Sequence, residues 1–149
     1  MLKGIDPLLN PELLQVLAAM GHGDEIVLVD ANFPAESVAR ETVHGLAIRV
    51  DCALPRAVEA VLTLLPIDNF EPGAVRCMEV VGDPQAVPEV VAEAAVFFAA
   101  EGADITGVPR FDFYDEAKRA YAIVQTAERR LYGNFIIRKG VISPPDKTA

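Results

Sequence analysis

The sequence has 149 residues, a length that suits a single domain. The formal net charge of −9 disfavours binding to nucleic acid or to an anionic membrane, because phosphate recognition needs clustered Lys and Arg. The hydrophobic share of 52% is high for so short a chain. It predicts that apolar surface is buried between subunits of a homo-oligomer.

No apolar run reaches the length of about 18 residues that a membrane-spanning helix requires. The first residues lead into Pro7 and Asn10, not into a signal-peptide core, so we expect a cytoplasmic protein. Cys52 and Cys77 have neither a CxxC pattern nor a nearby His partner. We expect both to be reduced core thiols.

The first predicted elements are a helix and a buried strand. Asn10 is predicted to cap a helix that begins at Pro11, and Gly21 is predicted to end it as a left-handed C-cap. Residues 26–29 form a short, continuous apolar run, which is typical of a strand covered on both faces. Asp30 stands at the carboxyl end of that strand.

The same order of elements recurs in the middle of the chain. Strands are predicted over residues 46–50 and 75–80, and each is followed by a helix. The first of these helices begins at Pro55 and stops before Pro66, and the second covers residues 88–100. Strands that alternate with helices predict an α/β fold with a largely parallel sheet.

The last third of the chain is predicted to make the sheet mixed. Asp112 is predicted to cap a helix that runs to about Ala120, and strands follow over residues 121–127 and 134–138. Because the link between these strands is short, we expect them to pair antiparallel. The predicted architecture is a single three-layer α/β domain over residues 1–149, whose mostly parallel, mixed central sheet is flanked by helices, with a loose tail from about residue 142.

His22 and Asp30 are the first candidate functional residues. His22 lies between Gly21 and Gly23, where the backbone can bend freely. The imidazole side chain of histidine usually has a pKa of about 6.5, which suits it to proton transfer at neutral pH. Asp30 ends a strand, where open α/β sheets place ligand-binding groups. Taken alone, however, a glycine-flanked His is more often an ordinary loop residue, and such an Asp is more often a turn or cap.

Several other kinds of site are disfavoured. The glycines around His22 follow a helix and precede a strand, the reverse of a phosphate-binding loop. Neither Ser37 nor Ser143 lies in a GxSxG context, which argues against a serine hydrolase. His22 and His44 are the only histidines, too few for a multi-His metal centre. The residues alone therefore leave a His-plus-carboxylate site of low specificity.

Longer motifs resemble one known family along nearly the whole chain. Residues 21–25 read GHGDE and residues 30–34 read DANFP, a combination similar to the opening of the fucose mutarotase and ribose pyranase family. Residues 109–124, which contain RFDFY, and residues 128–134, which read ERRLYGN, resemble its carboxyl-terminal signatures. These two carboxyl-terminal motifs resemble the fucose branch of the family.

The resemblance implies an enzyme that interconverts the anomers of a free monosaccharide, L-fucose first among them, with no cofactor and no metal. It implies His22 as the proton-transferring residue. The implied sugar contacts are Asp30, Arg110, Tyr132 and Asn134, and candidate pocket walls are Tyr114 and Tyr121. It also implies a ring-shaped homo-oligomer, such as a decamer, with sites at subunit contacts. A non-catalytic sugar-binding module accessory to sugar uptake would need the same pocket, and the sequence leaves that alternative open.

Overall fold

The computed structural model describes residues 1–145, and within them six strands form one mixed sheet. In chain order the strands are β1 Glu25–Val29, β2 Ala47–Arg49, β3 Val75–Met78, β4 Ile105–Val108, β5 Ala122–Gln125 and β6 Phe135–Arg138. They lie in the order β2-β5-β1-β6-β3-β4. Among the described strands only β6 runs antiparallel to its neighbours, β1 and β3. The predicted mixed, mostly parallel sheet is confirmed.

Helices cover both faces of this sheet. They are α1 Pro11–Ala19, α2 Ala35–Ala39, α3 Leu54–Leu62, α4 Glu89–Ala100 and α5 Arg110–Lys118. Because side chains alternate along a strand, Ile26 and Leu28 of β1 pack into the core with α1, α3 and α4. Val27 and Val29 pack on the opposite face with α2 and α5. The strand predicted to be covered on both faces is therefore the middle layer of three.

The start of α1 is as predicted, but its end is not. The Asn10 side chain accepts a hydrogen bond from Leu13 N–H at 2.9 Å. The prediction of a left-handed C-cap at Gly21 is wrong, since the left-handed residue of this loop is Gly23, with φ 89°. The carbonyls at the helix end are satisfied in another way, because Lys139 Nζ donates to Leu17 O and Met20 O. A glycine cap is not needed there.

The prediction that Asp112 caps a helix is also wrong. Helix α5 begins at Arg110, its N-cap is Pro109, and Asp112 lies in the first helical turn. An acidic residue is favourable at both positions, because each lies at the positive end of the helix dipole. The residue type alone could not distinguish the two.

The predicted pairing of the last two strands is wrong as well. β5 and β6 lie on either side of β1, with β5 parallel and β6 antiparallel to it. The link between them passes the carboxyl end of β1, where Ala31 N–H donates to Glu128 O at 2.8 Å. Two elements were not predicted: α2 has only five residues, and β4 is short and contains Gly107.

Three further predictions concern membrane spans, cysteines and the tail. Across residues 1–145 no helix is both long enough and apolar enough to cross a membrane. Cys52 and Cys77 are free, half-buried and packed against the core, and burial raises the pKa of both thiols. The predicted loose tail falls partly on residues 146–149, which lie outside the described residues.

Candidate functional site

A small cleft lies at the edge of the sheet where the parallel strands end. Asp30 follows β1 and Met78 ends β3, while the antiparallel direction of β6 brings Asn134, just before that strand, to the same edge. The cleft has a volume of ≈ 190 Å³ and is lined by Asp30, Asn32, Phe33, Met78, Arg110, Tyr114, Leu131, Tyr132 and Asn134. Sites for drug-sized ligands measure roughly 300–1,000 Å³, so this cleft suits a smaller molecule.

Asp30 and Asn134 are held rigidly in the buried part of the cleft. Both are only 3% exposed. Asp30 Oδ1 accepts hydrogen bonds from the backbone N–H groups of Asn32 and Phe33, each at 2.9 Å. Asp30 N–H in turn donates to Asn134 Oδ1 at 3.0 Å. Burial raises the pKa of Asp30 against the opposing effect of these bonds. The two side chains are thus fixed before any ligand arrives.

Tyr132 stands next to them in a rare backbone conformation. Its φ is 64°, in the left-handed region that residues other than glycine seldom adopt. Its carbonyl accepts from Asn134 N–H at 2.9 Å. The phenol oxygen accepts from Val81 N–H at 3.2 Å, which leaves the hydroxyl proton of Tyr132 to be donated to a ligand.

Arg110 and Tyr114 form one wall of the cleft. They lie one helical turn apart on α5, and Arg110 Nε donates to the Tyr114 hydroxyl at 3.1 Å. The guanidinium carbon lies 5.5 Å from the ring centroids of both Phe111 and Tyr114. This contact uses one donor of Arg110, and the terminal nitrogens carry four more N–H groups.

His22 lies at the opposite edge of the sheet. It precedes β1, whereas Asp30 follows it, and the strand between them is itself about 13 Å long. The His22 side chain is 41% exposed and contacts Asp68, with 3.1 Å between Nε2 and Oδ1. Tyr121 also lies at that edge, just before β5, where it packs against the core and does not line the cleft. Within one chain, therefore, the predicted residues form two separate groups.

Asp68 is a partner of His22 that the sequence did not indicate. Its side chain is 4% exposed, and it also accepts from Arg138 Nε at 2.9 Å. Burial raises the pKa of Asp68, but hydrogen bonds from Phe70 N–H, His22 and Arg138 outweigh it and lower that pKa to about 2. No sequence pattern around Asp68 indicates this contact, because His22 is 46 residues away.

Met78 lines the cleft but was not predicted to do so. It could have been predicted, because it ends a parallel strand.

The fold and the cleft define an α/β small-molecule-binding domain. The cleft offers a carboxylate, a guanidinium, phenols and an amide, which together donate to and accept from hydroxyl groups. Within residues 1–145 no three His, Cys, Asp or Glu residues are grouped so that they could hold a metal ion.

The chain belongs to the RbsD / FucU transport protein family, whose sequence profile matches residues 3–142. It is 43% identical over 150 residues to the fucose mutarotase of Bos taurus, with 97% of each chain covered. It is 44% identical over 147 residues to an L-fucose mutarotase of Haemophilus influenzae, covering 95% of this chain and 97% of that one. The fucose mutarotase of Streptococcus pneumoniae, solved in complex with L-fucose, has a TM-score of 0.85 at 39% identity, covering 95% of this chain and 100% of that chain. The resemblance in the sequence motifs is confirmed.

Proposed function

We propose that this protein is a mutarotase that interconverts the α and β anomers of L-fucose. The observation that carries the proposal is the cleft, which brings four motif residues together at one edge of the sheet: Asp30, Arg110, Tyr132 and Asn134. It occurs in a chain 43% identical, over nearly its whole length, to a fucose mutarotase.

The reaction needs only proton transfers. A base removes the proton of the C1 hydroxyl while an acid protonates the ring oxygen, and the C1–O5 bond breaks to give the open-chain aldehyde. Rotation about the C1–C2 bond and reclosure then give the other anomer. A positioned acid or base contributes about 10²–10⁴-fold, and holding the open chain ready for closure adds an orientation effect.

The cleft residues supply binding and charge stabilisation in this scheme. Asp30 accepts from sugar hydroxyls, and Asn134 both donates and accepts. Arg110 stabilises negative charge that develops on a sugar oxygen. Tyr132 donates its hydroxyl proton as a hydrogen bond, because its oxygen already accepts from Val81 N–H.

His22 exchanges the main proton, and we propose that it enters the cleft from a neighbouring protomer. Within one chain the length of β1 separates it from Asp30. Side chains that flank the cleft are apolar and exposed, with Phe111 at 73% and Val81 at 63%, and Phe70 beside His22 is 66% exposed. A contact between these two unlike surfaces is head-to-tail, and such contacts form a ring when the rotation between protomers closes. We therefore propose a ring-shaped oligomer, with a decamer as the expected size.

Asp68 determines which nitrogen of His22 is basic. With a pKa of about 2, its carboxylate is ionised at neutral pH and can only accept a hydrogen bond. The bond at 3.1 Å therefore requires the proton on His22 Nε2. In the neutral imidazole Nδ1 then carries the lone pair and is the atom that takes the proton from the sugar.

Saturation-transfer NMR of free sugars tests the proposal. Irradiation of one anomeric proton signal of L-fucose should reduce the signal of the other anomer far more when the protein is present. His22→Gln should abolish most of this effect without unfolding the chain, because the side chain is exposed and packs little. D-ribose, D-galactose and L-arabinose complete the panel.

The outcome separates the enzyme from its alternative. If none of the four sugars exchanges faster than in buffer, the chain is not a mutarotase. Binding of L-fucose without faster exchange would instead favour a non-catalytic sugar-binding module.

The compartment we propose is the cytoplasm. Both cysteines are free, as expected in a reducing environment. Fractionation of cells that express the natural chain, with detection by antibody, tests this assignment.

A further inference from the structure

A buried carboxylate, Glu128, lies behind the turn that carries Tyr132 and Asn134. Its side chain is 4% exposed and does not line the cleft. Oε2 accepts from the backbone N–H of Leu54, the first residue of α3, at 3.2 Å. Oε1 accepts from the backbone N–H of Arg130 at 3.0 Å. Glu128 therefore joins the turn to a helix of the core and can affect a ligand only through its neighbours.

Arg130 fixes this carboxylate in place. Its Nε and Nη2 donate to the two oxygens of Glu128 at 2.9 and 3.0 Å. The same guanidinium binds both oxygens of Glu93 on α4, at 2.8 and 3.0 Å. The hydrogen bonds from Arg130 hold the pKa of Glu128 at about 2, so the carboxylate stays ionised. A continuous chain of bonds thus runs from α4 through Arg130 and Glu128 to α3.

Glu128 also contacts both backbone segments that shape the cleft. Its backbone carbonyl accepts a hydrogen bond at 2.8 Å from the N–H of Ala31, the residue after Asp30. Gly133 packs directly on its side chain: a Cβ atom there would lie 3.3 Å from Glu128 Cγ. The neighbouring residue is Tyr132, with its φ of 64°. Such a conformation persists only when the surrounding structure enforces it.

We propose that Glu128, held by Arg130, is a positioning residue for the sugar cleft. Its carboxylate fixes the left-handed turn that presents Tyr132 and Asn134, and its backbone carbonyl holds the loop that follows Asp30. The inference rests on the proposed function for its catalytic consequence, whereas its effect on ligand binding does not depend on turnover.

Glu128→Gln and Arg130→Met test the proposal, with Arg129→Met as the matched control. Arg129 is the exposed neighbour of Arg130. Gln has nearly the shape of Glu, but its NH₂ group cannot accept the hydrogen bonds that one carboxylate oxygen receives. We expect kcat/KM for anomer exchange of L-fucose to fall about ten- to hundredfold, as small displacements of binding groups do. Arg130→Met should act in the same direction, and Arg129→Met should match the unmodified protein.

The division between KM and kcat distinguishes positioning from a general loss of structure. The rise in KM should carry most of the effect, and the pH profile of kcat should keep its midpoint because His22 is unchanged. A kcat that falls only in proportion to the folded fraction, with KM constant, overturns the proposal. So does a folded Arg130→Met with unchanged KM, and this variant decides the matter if Glu128→Gln does not fold.

Calorimetric titration with L-fucose separates this proposal from the proposed function. If the unmodified protein does not speed exchange, the mutarotase assignment fails, and binding alone then tests Glu128. A Kd that is weaker by a similar factor in Glu128→Gln and unchanged in Arg129→Met supports positioning. Equal Kd values in all variants overturn it.

Discussion

The carboxylate of Asp68 connects three distant parts of the chain. It accepts from His22 before β1, from Phe70 N–H beside it, and from Arg138 at the end of β6. Arg138 is itself restrained, because its Nη2 donates to the backbone carbonyls of Glu71 and Pro72, in the loop that follows Phe70. The orientation of an exposed histidine is therefore set by an ion pair whose carboxylate is buried.

We predict that Asp68→Asn lowers anomer exchange about 10- to 100-fold. A positioned acid or base contributes about 10²–10⁴-fold, and Asp68 acts on His22 only indirectly. Asn keeps a single acceptor oxygen, so it cannot accept from both His22 and Arg138, and the loss of one of these bonds disturbs the pairing that fixes the tautomer and orientation of the imidazole. Saturation-transfer rates with L-fucose measure the effect.

Glu12→Gln is the matched control for this substitution. It changes another carboxylate–imidazole pair, that of His44 and Glu12 at 2.8 Å, outside the cleft. Its exchange rate should equal that of the unmodified protein. An Asp68→Asn variant that is folded and fully active would contradict the role assigned to Asp68.

The loop that carries Asp68 is packed closely against the segment that follows β6. Gly140 N–H donates to Pro66 O at 2.8 Å. A Cβ atom at Gly140 would lie 2.6 Å from Ile67 O and 2.8 Å from Asp68 Cα. Both atoms belong to backbone, so neither can move aside without displacing the loop. Only glycine allows the two segments to approach this closely.

Gly140→Ala should therefore lower the free energy of unfolding by about 1–3 kcal/mol, the usual effect of forcing extra atoms into a packed site. Urea denaturation measures it. Gly21→Ala is the control, because the nearest atom to its new Cβ would be Asp24 Oδ2 at an ordinary 3.7 Å. That variant should change stability by less than about 0.5 kcal/mol. Equal stability of the two variants would contradict the close-approach argument.

The sequence predicted correctly those features that depend only on neighbouring residues. The cap at Asn10 and the apolar run of β1 depend on neighbouring residues, and both were found. The partner of β6 depends instead on a choice between distant strands, and the preference for short connections favoured β5 wrongly. The contact of His22 with Asp68 spans 46 residues, and the left-handed Tyr132 stands where glycine would be expected. Neither leaves a mark in the sequence pattern.

Arg110, Tyr132 and Asn134 were predicted only through the family motifs, whereas Asp30 was also indicated by its place at the end of a predicted strand. Asp30, Arg110, Tyr132 and Asn134 do lie together. Their grouping follows from the antiparallel direction of β6, which brings Asn134 to the end of β1. The separation of His22 from them was not predicted, although it follows directly from the length of β1 between His22 and Asp30.

For the whole molecule, we predict that two inactive variants restore activity in a mixed assembly. His22→Ala and Arg110→Ala should each be inactive alone. If each site combines His22 of one protomer with Arg110 of the next, a random mixture in a head-to-tail ring leaves about a quarter of the sites intact. Co-expression with two different affinity tags, followed by tandem purification and exchange measurements, tests this.

Light scattering over a dilution series provides the second measurement. Activity should disappear as the oligomer dissociates. No recovery in the mixed assembly would show that each protomer uses its own His22. A monomer that remains fully active at working concentration would contradict the ring as a whole.

The position of β6 has a consequence for the synthesis of the chain. β1 and β3 share no hydrogen bonds, because β6 lies between them, and β6 is the last strand of the described sequence. A growing polypeptide can therefore pair β3 with β4, and later β2 with β5 and β1, but these two sheets stay unconnected until residues 135–138 leave the ribosome. During that interval both β1 and β3 expose an unpaired edge of apolar strand, the kind of edge that recruits other chains. A chain that ends shortly before Phe135 would be the form of this protein most in need of a chaperone.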